Sequence, residues 1–128
     1  MVPKSIIAPV LIRIGDIMPG AARLGDTMND TPYVEHSGHL KPCSGMMTGH
    51  ISGGCSSNVT INGIAAATID SITSEYDACC GGGSGKVTSG SNIVDINGKP
   101  AARCGDMITT HTGTTTTISG CSSNVSIN

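Results

Sequence analysis

The chain has 128 residues, 7 basic against 9 acidic for a formal net charge of -2, with 18 glycines, 6 cysteines and only two aromatic residues, Tyr33 and Tyr76. That length fits one domain, and the charge balance gives no electrostatic footprint for nucleic acid or an anionic membrane surface. With no Phe or Trp, the side chains that usually dominate core burial are missing. A broad sandwich or helix bundle is therefore out of reach, and rigidity has to come from a metal, disulfides or a partner.

In chain order, the first feature is the apolar run Ser5 to Ile14, interrupted by Pro9 and Arg13. It is far short of the roughly 20 residues of a membrane helix, so stable membrane insertion is not expected. A truncated secretory signal with Lys4 as its flank is the weaker reading; an apolar strand docked on the domain or on a partner is preferred. Residues 1–18 are read as a lead-in segment and residues 19–128 as one repeat domain.

Three related stretches follow. Pro19-Gly20-Ala21-Ala22-Arg23-Leu24-Gly25-Asp26 matches the end of Ile96-Asn97-Gly98-Lys99-Pro100-Ala101-Ala102-Arg103-Cys104-Gly105-Asp106. Ile61-Asn62-Gly63-Ile64-Ala65-Ala66-Ala67-Thr68-Ile69-Asp70-Ser71 matches its start. Apolar residues alternate at Val59 and Ile61, Val94 and Ile96, and Val125 and Ile127, the period of a half-buried strand. Asn62-Gly63 and Asn97-Gly98 then supply residues that tolerate the positive φ of a tight hairpin turn.

No stretch sustains a helical period, and Gly or Pro interrupts most windows. The reading is all-β, a small domain of short strands. Residues 27–50, 72–86 and 107–117 are expected to be irregular loops of unequal length that share one end of the molecule, where repeat proteins place insertions.

Chemistry concentrates in those loops: His36, His39, Cys43 and His50 in the first, Cys79 and Cys80 in the second, His111 in the third. If the loops converge, imidazole and thiolate ligands can form a tetrahedral zinc site. Of the adjacent Cys79 and Cys80, one ligand is expected, with Cys80 favoured because Gly81-Gly82-Gly83 frees the backbone beside it. Cys55, Cys104 and Cys121 read as compact buried hydrophobes, with a disulfide framework as the rival. A Ser-His-Asp triad is rejected because hydroxyl residues are everywhere and no nucleophile elbow is present. Gly81 to Gly85 lacks the Lys-Ser/Thr ending of a phosphate loop. Met46-Met47 reads as loop packing.

Pro100-Ala101-Ala102-Arg103 spells the motif of the PAAR-repeat family, and from about Pro19 to Asn128 the chain resembles that family, with Ala65-Ala66-Ala67-Thr68 departing from the motif in the middle copy. The resemblance implies a small cone of pseudo-threefold shape that caps a trimeric β-helical spike, of the valine-glycine repeat or phage tail-spike type, in type VI secretion systems and contractile phage tails. It further implies one structural zinc near the apex, held by three histidines and one cysteine. Carried onto this chain the ligands are His36, His39, Cys80 and His111, with His50, Cys43 and Cys79 as the open substitutes. The implied role is a non-enzymatic tip. It would be made in the cytoplasm and delivered outside the cell, into a target cell or as part of a virion, with separate effector proteins as further partners. A small zinc hydrolase with Glu35 or Asp77 as its base is the rival reading.

Overall fold

The computed structural model describes residues 4–6, 19–32, 45–77 and 81–128. Within them the chain is all-β and has no helix, so no helix there is long and apolar enough to cross a membrane. The strands are β1 (Lys4–Ile6), β2 (Thr31–Pro32), β3 (Met46–Gly53), β4 (Val59–Ile61), β5 (Ile64–Ala65), β6 (Ile72–Asp77), β7 (Gly81–Val87), β8 (Asp95–Ile96), β9 (Lys99–Pro100), β10 (Met107–Thr109) and β11 (Thr115–Thr117).

The small hairpins form where the repeats place them. β4 pairs antiparallel with β5, and β8 with β9. Their turns carry Asn62 at φ 54° with Gly63 at 80°, and Asn97 at 52° with Gly98 at 83°. Two successive left-handed residues make the hairpin turn whose twist matches that of its strands. β1 adds in parallel to the other edge of β4, Lys4 opposite Val59 and Ile6 opposite Ile61. The start of the lead-in therefore docks as a strand.

The alanine pairs join these units to one another. The Ala22 N–H donates to the Ala102 carbonyl, Ala102 to Ala67, and Ala67 to Ala22, each at 3.0 Å. A second set runs the other way round: Leu24 N–H to Ala65 at 2.9 Å, Ile69 to Pro100 at 3.0 Å and Cys104 to Gly20 at 2.9 Å. Each stretch is thus tied to both of the others in both directions. Backbone groups sealed from water must find such partners, and the six alanines involved in the core (21, 22, 66, 67, 101 and 102) are fully buried. Because successive residues of an extended chain point to opposite sides, the two alanines of each pair enter different clusters. Ala21, Ala66 and Ala101 pack with Ile61, Ile96, Val125 and Ile127. Ala22, Ala67 and Ala102 pack with Met28, Met47, Ile51, Val87, Ile108 and Ile118. Small side chains on the inside let three backbones approach closely, which explains a core built without aromatics.

The stretches 72–86 and 107–117 and the end of 27–50 are not the irregular loops the sequence suggested. Most of their described residues lie in a sheet of order β11-β10-β7-β6-β3-β2. The sheet nearly closes on itself like a barrel, since Asn29 N–H donates to the Thr117 carbonyl at 2.8 Å and Met28 bridges to Ile118. The alternation was hidden for a physical reason. β6 buries Thr73 and Glu75 while exposing Ile72 and Tyr76, and β7 turns Gly81, Gly83 and Gly85 inward ahead of Val87. A scan for alternating apolar residues sees neither strand. Met47 lies in β3 and is fully buried, so it belongs to the core and not to a loop.

Cys104 and Cys121 are also corrected: they form a disulfide, with Cα atoms 5.7 Å apart. Cys104 N–H reaches the Gly20 carbonyl and Ser122 N–H the Ala21 carbonyl, so two segments running along one strand hold the cysteines within bonding reach. Cys55, at the corresponding place in its repeat, is a free, half-buried thiol. Burial raises its pKa, partly offset by a hydrogen bond with Ser71 and reinforced by the Asp26 charge.

Candidate functional site

Of the histidines and cysteines singled out as ligands, His111 and His50 lie in the described residues; His36, His39, Cys43, Cys79 and Cys80 lie outside them, as does Glu35. His50 sits in β3 opposite Ser74, one step from the Gly49 and Glu75 pair. Its side chain is exposed, whereas the neighbouring inward positions Met47 and Ile51 are buried. Strand alternation therefore puts His50 on the opposite face of the sheet from Glu75.

His111 occupies the tight turn between β10 and β11. Thr110 N–H donates to the Thr114 carbonyl at 2.8 Å and Gly113 N–H to the Thr110 carbonyl at 3.0 Å. The hydroxyls of Thr110 and Thr114 meet at 2.7 Å, and those of Thr110 and Thr112 at 3.1 Å. A turn so cross-linked holds the ring in one place. The ring faces Glu75, which the sequence reading did not single out.

The Glu75 side chain is 0% exposed and that of His111 13%. A buried carboxylate is costly unless its oxygens are hydrogen-bonded, and here each oxygen is engaged. Oε1 accepts from the His111 backbone N–H at 2.8 Å and lies 2.6 Å from the ring Nδ1. Oε2 accepts from the Thr73 hydroxyl at 2.6 Å, and Thr73 in turn accepts from the Gly85 N–H at 3.2 Å.

Glycine makes the room. A Cβ on Gly83 would stand 2.3 Å from His111 Cγ, and one on Gly85 2.2 Å from Glu75 Oε2. The glycines of β7 are therefore the floor on which ring and carboxylate lie. They do more than loosen the chain beside Cys80, the only role the sequence suggested for them.

Oε2 accepts from the Thr73 hydroxyl and Oε1 from the His111 backbone N–H, and a carboxylate accepting on both oxygens pairs with a ring that carries its proton on Nδ1. In the neutral ring the lone pair is then on Nε2, the tautomer of a zinc-bound histidine backed by a carboxylate. His111 therefore fits a zinc ligand. The order hydroxyl, carboxylate, imidazole is not that of an activated nucleophile, because the Thr73 hydroxyl gives its proton to Glu75 and not to the ring. Among the described residues no group of three or more His, Cys, Asp or Glu side chains converges as a metal site.

Sequence signal for Glu75 existed in one form only. Once Ile72–Asp77 is taken as a strand, Thr73 and Glu75 share its inward face, and an inward acid calls for a partner.

A family model described as the PAAR motif matches residues 46–117 and, in a second overlapping match, residues 81–128. No curated protein matches the chain.

Proposed function

The chain belongs to the PAAR-motif family, and from that premise we propose that it is the non-enzymatic tip of a trimeric β-helical spike in a contractile injection machine. The observation that carries this reading is the closed ring of backbone bonds among Ala22, Ala67 and Ala102. A single chain that caps three identical chains needs three similar edges arranged about one axis. The strand β4, the strand β8 and the segment containing Val125 and Ile127 stand in matching relation to that ring, and each sends apolar side chains into the same cluster. Docking would extend the spike's sheets through main-chain hydrogen bonds, the mode by which extended strands add to a sheet edge; because β1 already lies along β4, the edge offered by that copy is that of β1. Residues 19–128 form the capping domain in this reading.

At the other end, His111 joins His36, His39 and Cys80 around one zinc ion. When bound, zinc supplies a tetrahedral cross-link whose binding energy is folding energy. The protein's own contribution is to fix the ligands: the threonine turn places His111, and Glu75 sets its tautomer. Closing the tip in this way concentrates the force of sheath contraction on a small area of the target envelope. The protein would be made in the cytoplasm and leave with the spike, carrying any effector as a separate chain.

Co-purification with a trimeric spike at a ratio of one tip to three spike chains is the test of capping; another ratio, or no binding, overturns it. Zinc content is the test of the apex. About one ion per chain is expected, lost in His111→Ala and in Cys80→Ser, and a folded wild type that takes up no zinc would count against it.

A further inference from the structure

We infer that Glu75 is the positioning residue of the metal centre: its buried carboxylate, anchored by Thr73, fixes His111 as an Nδ1–H donor so that the ring binds zinc through Nε2. The inference rests on the zinc reading above and goes beyond it, since it assigns a residue outside the His and Cys set and names the ligating atom.

Three observations support it. First, Oε1 takes both the backbone N–H and the ring Nδ1 of one residue, at 2.8 and 2.6 Å. Two bonds from one residue to one oxygen fix the ring's rotation as well as its position. Second, the carboxylate cannot swing away, because Oε2 is held by Thr73 at 2.6 Å and the side chain has no solvent exposure. Third, β7 carries glycine at the two positions where a methyl group would strike the ring or the carboxylate. A carboxylate on the far nitrogen of a metal-bound imidazole raises its basicity and sets its orientation, and losing such a partner typically weakens metal binding by about 10- to 100-fold.

The full-length chain carries the test. Zinc affinity, measured by competition with a chromophoric chelator, is expected to fall by about 10- to 100-fold in Glu75→Gln. The gap between the thermal midpoints of the zinc-loaded and zinc-free protein should shrink with it. A purely structural Glu75 would instead lower both midpoints together and leave the affinity alone, and an affinity within about twofold of wild type in a folded Glu75→Gln overturns the inference. Thr73→Val keeps the carboxylate but removes its anchor and should lose about tenfold; an affinity within about twofold of wild type there counts equally against it. Should neither variant fold, nitrogen chemical shifts of the zinc-loaded wild type decide the matter. A protonated Nδ1 with zinc on Nε2 is expected for His111, and zinc on Nδ1 overturns the role of Glu75. Absence of zinc from the wild type removes the zinc reading itself, while zinc bound with Glu75 irrelevant removes only this inference.

Discussion

The corner at Arg103–Asp106 and the corner at Thr68–Ser71 perform one backbone task with different chemistry. At the first, Asp106 Oδ2 accepts from the Arg103 backbone N–H at 2.7 Å, and the same carboxylate takes the guanidinium at 3.0 Å through Nε and at 2.9 Å through Nη2. At the second, Ser71 Oγ accepts from the Thr68 N–H at 2.9 Å, with no arginine involved. Both corners then make the same turn bond, Asp106 N–H to Arg103 and Ser71 N–H to Thr68, each at 3.0 Å. The corner at Arg23–Asp26 repeats the charged form. The constant requirement is thus an acceptor three residues on that caps a backbone N–H; the arginine fork is a reinforcement. Its carboxylate partner raises the Arg103 pKa through hydrogen bonding, so the guanidinium stays charged.

The third corner is fastened further by the disulfide from Cys104, and this sets the largest expected difference. Replacing both Cys104 and Cys121 by Ser removes a cross-link spanning 17 residues of sequence and should cost about 3 kcal/mol, read as a fall in the denaturant midpoint that reducing agent reproduces in the wild type. Asp106→Ala removes an acceptor for four hydrogen bonds, three from Arg103 and one from the Ser89 hydroxyl, at a nearly buried site and should cost about 2 to 3 kcal/mol. Ser71→Ala, at the neutral corner, should cost only about 1 kcal/mol in the same titration. Equal losses from Asp106→Ala and Ser71→Ala would break the comparison.

A change of opposite sign sharpens it. Gly25 and Gly105 turn their corners at φ 90° and 88°, but the middle corner uses Asp70 at φ 74°. Asp70→Gly should therefore stabilise by about 0.5 kcal/mol, the relief of left-handed strain less the added chain entropy of glycine. The smallest effect belongs to Cys55, the free counterpart of Cys121. Its thiol pKa is raised by burial, so alkylation at mildly alkaline pH should lag that of an unfolded control. The stability linked to this group is complete below the ordinary thiol range and declines as pH rises through the higher folded value. Alkylation at the unfolded rate would contradict the burial.

The repeat hairpins were legible because each signal is local: apolar residues two apart, then Asn-Gly where φ must be positive. The motif at Pro100 to Arg103 was legible as a family signature, although its work as a backbone ring was not, since that depends on contacts among residues 35 to 80 positions apart in sequence. β6 and β7 were missed because their inward faces carry Thr, Glu and Gly, which no hydropathy pattern marks as interior. Glu75 was missed with them. The Cys104–Cys121 bond was not decidable from cysteine count, because Cys55 has the same local surroundings as Cys121 and stays unpaired. Of the four ligands inferred from the family resemblance, only His111 falls in the described residues, and there its setting suits the role.

The ring through Ala22, Ala67 and Ala102 has a mechanical consequence. In an open sheet, rupture starts at an outer strand, which is gripped from one side only. A closed cycle has no outer member: if one of its bonds parts, the remaining two still connect all three segments. A force applied along the axis through the ring would divide among parallel load paths. A momentary break in one of them is held in register by the others and can re-form before the fold is lost.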